Sequence, residues 1–169
     1  KAYLFESLRP TPELSFTVRR LGCFAGIVIT ASHNPPEYNG HKVYGPDGGQ
    51  ITLKTANKIT EAIGKVELFD DVKSLSEKKA RKQGLLITIG EEVDRAYLGA
   101  VTGLDNCSRA EHDDIRIVYT PLHGAGLIPV TAALEMLGYK NVFVVDSQAQ
   151  PDGDFPTVKT PGPADSGVF

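Results

Sequence analysis

The chain reads as an α/β protein, and three features of its 169 residues lead to that class. Short apolar runs alternate with stretches of helical period, the pattern of sheets flanked by helices. A polar, charged connector at residues 105–114 (DNCSRAEHDD) contains nothing that can fill a core. After it a strand–helix–strand pattern starts afresh, as at the beginning of a second unit. With 41% hydrophobic and 23% charged residues, the chain can bury a core without staples, which excludes collagen, wholesale disorder and a disulfide scaffold.

Each element has its own local reason. Residues 2–5 form a short apolar run, and Pro10-Thr11-Pro12 introduces a helix over about 13–21 with Leu14, Val18 and Leu21 at helical spacing. Gly22 is its stop signal. The run AGIVIT at 25–30 is apolar throughout, as expected for a buried sheet position. A polar loop at 31–40 follows. HKVY, a turn at 46–49 and Gln50-Ile51 then read as a hairpin. Residues 52–63 place Leu53, Ala56, Ile59, Ala62 and Ile63 on one helical face. Strands are expected at 66–69 and 85–89. An amphipathic helix is expected over 91–104, with Val93, Tyr97, Leu98 and Val101 inward. In the second unit a strand at 115–119, a helix at 129–137 stopped by Gly138 and a strand at 141–146 make a βαβ pattern. From 147 on, the chain is rich in Pro, Gly and Asp, without period.

Charge and cysteines narrow the functional classes. Lys and Arg number 18 against 21 Asp and Glu, a net charge of −3, so no electrostatic footprint for nucleic acid is present. The one basic cluster, Lys78, Lys79, Arg81 and Lys82, carries no interleaved aromatic and reads as a solvated helical face. Cys23 and Cys107 lie in unrelated contexts and read as buried reduced thiols, which suits a cytoplasmic protein. No apolar run approaches the roughly 20 residues that span a bilayer, so no membrane partner is expected.

Chemistry concentrates in residues 26–49, GIVITASHNPPEYNGHKVYGPDGG. A strand ending at Thr30 delivers Ala31-Ser32-His33-Asn34 at its carboxyl end, where open α/β sheets bind ligands. Pro35-Pro36 stiffens the exit. Ser32 thus projects from a fixed platform beside His33, and ten residues on Lys42 opens a hairpin strand that can fold back towards it. A hydroxyl, an imidazole and an ammonium around one cleft suit phosphoryl transfer, whose catalysis is mostly positioning and charge stabilisation. Ser, Asn and Pro are also ordinary turn formers, and a Ser–His pair alone reads equally as a plain turn. A serine hydrolase lacks its Gly-x-Ser-x-Gly elbow here.

The whole string TASHNPPEYNGHKVY resembles the phosphoserine loop of the α-D-phosphohexomutase family, closest to its phosphoglucomutase-type members. LRPTPELSFTVRRLG upstream, and VYTPLHGAG and PDGDFPTV downstream, resemble further family segments. The resemblance implies an α/β fold of mixed sheets sandwiched by helices, comprising parts of two consecutive phosphohexomutase-type domains. Residues 1–104 would be the end of domain one with the phosphoserine loop, 105–114 a linker and 115–169 the start of domain two. It implies that Ser32 carries a phosphoryl group, passes it to a hexose phosphate and recovers the other phosphate from the bisphosphorylated intermediate. Lys42 would then serve in acid–base work, His33 as its active-site neighbour and Asn34 as loop support. Mg²⁺ would contact Ser32 through its phosphate, and hexose 1,6-bisphosphate would be intermediate and activator.

Family members hold the metal with three alternating aspartates followed by arginine, and these 169 residues contain no such string. TPGPAD also stands where members commonly read PNPE. The expectation is therefore a fragment, inactive alone, whose partners are a sugar phosphate and the remaining domains of the same parent chain. Glucose phosphate is the expected substrate; phosphomannomutase, phosphopentomutase and phosphoglucosamine mutase remain as alternatives, as does a non-catalytic phosphate-ligand module. His123 and the Asp152/Asp154 pair read as a backbone-bonded loop histidine and a tight turn.

Overall fold

In the computed structural model, residues 1–32, 34–106, 112, 114–158 and 162 are described, and they form three two-stranded sheets flanked by helices. Strand β1 (Ala2–Phe5) pairs in parallel with β4 (Leu86–Ile89). Strands β2 (Gly26–Thr30) and β3 (Gly40–Tyr44) form an antiparallel hairpin, and β5 (Arg116–Tyr119) pairs in parallel with β6 (Asn141–Val144). Helices α1 (Thr11–Arg20), α2 (Leu53–Ile63), α3 (Glu77–Lys82), α4 (Glu91–Thr102) and α5 (Leu127–Leu137) complete the α/β arrangement.

Helix α1 starts two residues earlier than its apolar period suggests. Pro12 occupies the first turn, where a missing N–H costs nothing. Its end is set by Gly22, at φ 59°, with Cys23 N–H donating back to the Val18 carbonyl at 2.8 Å. Thr52 caps α2, and the solvated basic helix is α3, where Arg81 reaches Glu77 at 2.8 Å. Among the described residues no helix is long and apolar enough to cross a membrane.

Four expectations change. The run at 25–30 is not buried on both faces: Ile27 and Ile29 are 64% and 73% exposed, because β2 finds its only described partner in β3 and one sheet face stays open. The hairpin joins β2 to β3 through the loop at 31–39, while Gln50 makes only an isolated bridge to Tyr44. Residues 66–69 form turns instead of a strand. The Asp71 carboxylate accepts the Glu67 N–H at 2.9 Å, and the Asp71 N–H returns to the Glu67 carbonyl at 2.8 Å, closing the backbone on itself. In the connector, His112 is buried and stacks on Tyr139 at 4.2 Å with its Nδ1 2.8 Å from the Leu137 carbonyl, so this segment does contribute to packing. Cys23 is half-buried and free; Cys107 lies outside the described residues.

Helix α1 is the seat of the β2–β3 hairpin. At Gly26 a Cβ would lie 2.5 Å from Val18 Cγ2 and 3.2 Å from Leu14 Cδ1, so only hydrogen fits between strand and helix. At the hairpin's other end Gly48, at φ 75°, would place a Cβ 2.7 Å from the Ser15 carbonyl, and the Ser15 hydroxyl donates to the Gly48 carbonyl at 2.6 Å. Across the helix, Phe16 meets Tyr97 of α4 edge-on at 5.6 Å, and α4 in turn packs on α5 of the second unit.

Gly26→Ala should therefore destabilise the protein by about 1–3 kcal/mol, the usual range for overpacking. Gly40→Ala, whose Cβ meets nothing within 4 Å, is the control and should cost far less. Urea unfolding midpoints compare them; equal midpoints would contradict the seating of the hairpin on α1.

Candidate functional site

The carboxyl end of β2 opens into a cleft of ≈ 420 Å³ between the two units. One wall comes from the segment before α1 (Leu8, Arg9, Pro10, Thr11), from Val28 to Ser32 and from Asn39; the other from His123, Gly124, Ala125 and the stretch containing Pro151, Asp152, Gly153 and Phe155.

Ser32 is exposed on the first wall, where the backbone turns left-handed at φ 59° and its N–H donates to Thr30 Oγ1 at 2.9 Å. The turn is then locked by the Asn34 N–H donating to the Ala31 carbonyl and the Tyr38 N–H donating to the Pro35 carbonyl, both at 3.0 Å. A single 3₁₀ turn at Pro36–Tyr38 leads into β3. Left-handed backbone is costly for any residue with a Cβ, and such strain concentrates at functional sites. Among the described residues the non-glycine positions with positive φ are Ser32, Leu122, His123 and Phe155, and three of these four line this cleft.

The other sequence-predicted residues fare differently. Lys42 stands directly opposite Val28 in the hairpin register, so it shares a sheet face with a cleft-lining residue, is half-buried, and is not itself part of the wall. Asn34 is exposed beside the cleft and contributes its backbone to the turn. His33 lies outside the described residues. Asn39, within the polar loop read at 31–40, does line the cleft; only the fold of the loop brings it there.

On the opposite wall His123 is 6% exposed, with Nδ1 3.0 Å from the Gln150 carbonyl and Nε2 2.9 Å from Thr157 Oγ1. Its reading as a backbone-bonded loop histidine holds, at a position that also faces Ser32. Asp152 and Asp154 form the expected tight turn, with the Asp154 N–H donating to Asp152 Oδ1 at 2.9 Å. Among the described residues no three His, Cys, Asp or Glu side chains converge in a way that could hold a metal ion. The described side chains thus do not by themselves make a magnesium site.

Beneath the first wall a second cavity, ≈ 220 Å³ and mostly apolar, holds a charge cluster that sequence reading missed. Arg9 grips Asp94 of α4 with a two-pronged contact, Nε to Oδ1 at 2.8 Å and Nη2 to Oδ2 at 2.7 Å. Glu13 of α1 is 1% exposed and lies 4.0 Å from Arg9, and its Oε1 has no hydrogen-bond partner. Burial, with the hydrogen bond to Asp94 and that residue's charge, raises the Glu13 carboxyl to about 7. Asp94 goes the other way, its carboxyl held low chiefly by the hydrogen bond from Arg9. Burial, reinforced by Glu13, also raises the Tyr97 hydroxyl. The two carboxyls are thus pushed in opposite directions, Glu13 towards its neutral form and Asp94 towards its ionised form under Arg9.

Comparisons with known proteins bear on these two walls. The model of phosphoglucomutase/phosphomannomutase alpha/beta/alpha domain I matches residues 1–69, and that of domain II matches residues 95–169. A phosphoglucomutase of Staphylococcus epidermidis is 37% identical over 171 residues, covering 100% of this chain and 30% of that protein. A Haemophilus influenzae protein provisionally designated a phosphomannomutase is 35% identical over 172 residues, 100% of this chain and 34% of its own length. A solved structure from Thermus thermophilus with a similarly provisional phosphomannomutase designation superposes with a TM-score of 0.73. It is 28% identical and covers 92% of this chain and 32% of that one. The chain therefore spans between 30% and 34% of the length of these relatives.

The Glu13 carboxyl gives a pH test of the cluster. Its folded value of about 7 lies above the ordinary value of 4.5, so the fold prefers it protonated. Its contribution to stability is complete below about pH 4.5, falls as pH rises towards 7 and then levels off. Glu13→Gln, which keeps a neutral donor towards Asp94, should remove that slope and leave the variant about 1–3 kcal/mol more stable than the parent at pH 8 relative to pH 5. Urea midpoints at the two pH values check it; an unchanged pH dependence would contradict the raised Glu13 carboxyl.

Proposed function

The chain belongs to the phosphoglucomutase/phosphomannomutase family, and on that premise we propose that it carries the phosphoserine loop of an enzyme interconverting hexose 1-phosphate and hexose 6-phosphate. The supporting observation is the placement of Ser32: an exposed residue on a strained left-handed turn at the carboxyl end of β2, lining a cleft walled by both units. Glucose phosphate is the preferred substrate of this reading, in keeping with the staphylococcal relative. Mannose phosphate is the second, in keeping with the designations of the Haemophilus and Thermus proteins.

In the resting enzyme Ser32 would be phosphorylated. The C6 hydroxyl of hexose 1-phosphate attacks that phosphorus, the Ser32 Oγ–P bond breaks, and the sugar's hydroxyl proton ends on Ser32. The bisphosphate reorients, the Ser32 hydroxyl attacks the phosphorus on O1, and the proton returns to the sugar as hexose 6-phosphate leaves. Lys42, on the hairpin face shared with Val28, would move that proton and offset charge, with His33 as its neighbour and Asn34 holding the turn. Mg²⁺ would contact the Ser32 phosphate and offset its charge; its remaining ligands and the sugar-recognition loops would come from further chain. Residues 1–104 and 115–169 are the two domain pieces of this reading, joined through 105–114, and the cytoplasm is its compartment.

In the complete polypeptide that carries these residues, Ser32→Ala should reduce conversion of glucose 1-phosphate to background. Lys42→Ala should lower kcat about 10²–10⁴-fold, the usual scale of general acid–base catalysis. A coupled assay for glucose 6-phosphate reads both; wild-type turnover by Ser32→Ala would overturn the assignment.

A further inference from the structure

We infer that His123 is a positioning residue: it holds the stretch 148–157 as the wall that faces Ser32, and so sets how the sugar phosphate is bound. The inference rests on the reading of Ser32 as phosphoryl carrier and adds to it a residue of the second unit. The stretch starts at the last residue of a 3₁₀ turn, Asp146–Gln148, and no strand ladder or α-helix fixes it. Its own bonds are few and local, such as the Asp152 carbonyl accepting the Phe155 N–H at 3.4 Å.

His123 supplies what the missing ladder does not. Its backbone N–H donates to the Gln148 carbonyl at 2.9 Å, and its carbonyl accepts the Asp152 N–H at 3.0 Å. The Gln150 carbonyl can only accept, so Nδ1 carries the proton and donates at 3.0 Å; Nε2 in the neutral ring then accepts the Thr157 hydroxyl at 2.9 Å. The ring also meets Phe155 edge-on, with centroids 6.3 Å apart. One 6%-exposed residue thus gathers five points of a ten-residue span. Thr120 braces the same knot, its hydroxyl donating to Gln148 Oε1 at 2.6 Å while accepting the Leu122 N–H at 2.9 Å.

Two observations point from this knot to the site. The residues it holds, Pro151, Asp152, Gly153 and Phe155, are the wall across from Ser32. His123 and Phe155 also share with Ser32 the left-handed backbone that a merely structural loop would avoid by using glycine.

The test uses the complete polypeptide with glucose 1-phosphate, with Ser32→Ala run in parallel. His123→Ala should raise KM at least tenfold while kcat changes less than threefold. His123→Asn, which tolerates left-handed backbone and keeps a short amide donor, should return KM to within threefold of the parent. Thr157→Val, which removes one hydroxyl only, should raise KM between two- and fivefold, and it decides the matter where His123→Ala fails to fold. An unchanged KM in His123→Ala, or no recovery in His123→Asn, overturns the positioning role while Ser32→Ala is inactive. Retained turnover by Ser32→Ala overturns the carrier reading itself.

Discussion

Arg9 ties the segment that forms the first wall of the cleft to α4, the helix on which the second unit packs. Its fork on Asp94 joins the segment entering α1 to α4, residues 85 positions apart in sequence, and its guanidinium carbon lies 5.5 Å from the centre of the Phe5 ring of β1. Helix α1 seats the hairpin that carries Ser32, and α4 packs against α5 of the second unit. Without Arg9, Asp94 and Glu13 would face each other as two partly buried carboxyls with no cation, a situation that costs far more than the loss of an exposed ion pair. The lowered Asp94 carboxyl, held down chiefly by the hydrogen bond from Arg9, is the electrostatic trace of that dependence.

From this tie the site follows by geometry. Gly26 lets β2 lie directly on α1, the strand's end fixes the direction of residues 30–32, and the left-handed turn at Ser32 leaves that residue exposed at the cleft. The second wall has no comparable scaffold and depends on side-chain bonding by His123 and Thr120. The cleft thus has one wall built on regular structure and one built on a knot of hydrogen bonds. That division suits a nucleophile that must stay put facing a surface that must accommodate a sugar phosphate in two orientations.

The parts legible in the sequence were those with short-range causes. Strand, helix and stop signals around 2–30 and 115–144 follow local period and glycine placement, and the family resemblance of the Ser32 loop is a contiguous string. What stayed hidden depends on contacts far apart in sequence. Glu13 reads as an ordinary first-turn acid of α1, and only its position under Asp94 makes it a buried proton holder. The apolar 25–30 run reads as a buried sheet position, but a sequence cannot say which element covers which face of the sheet. His123 was read for its backbone bonding, and the partners that give it consequence lie 25 to 34 residues downstream.

The central claim is that Ser32 is a phosphoryl carrier. The most direct measurement is mass analysis of the Ser32 peptide after the complete polypeptide has been incubated with glucose 1,6-bisphosphate. The account predicts an added mass of about 80 Da, one phosphoryl group, on that serine. An unmodified Ser32, or a phosphoryl group on another residue, would contradict it.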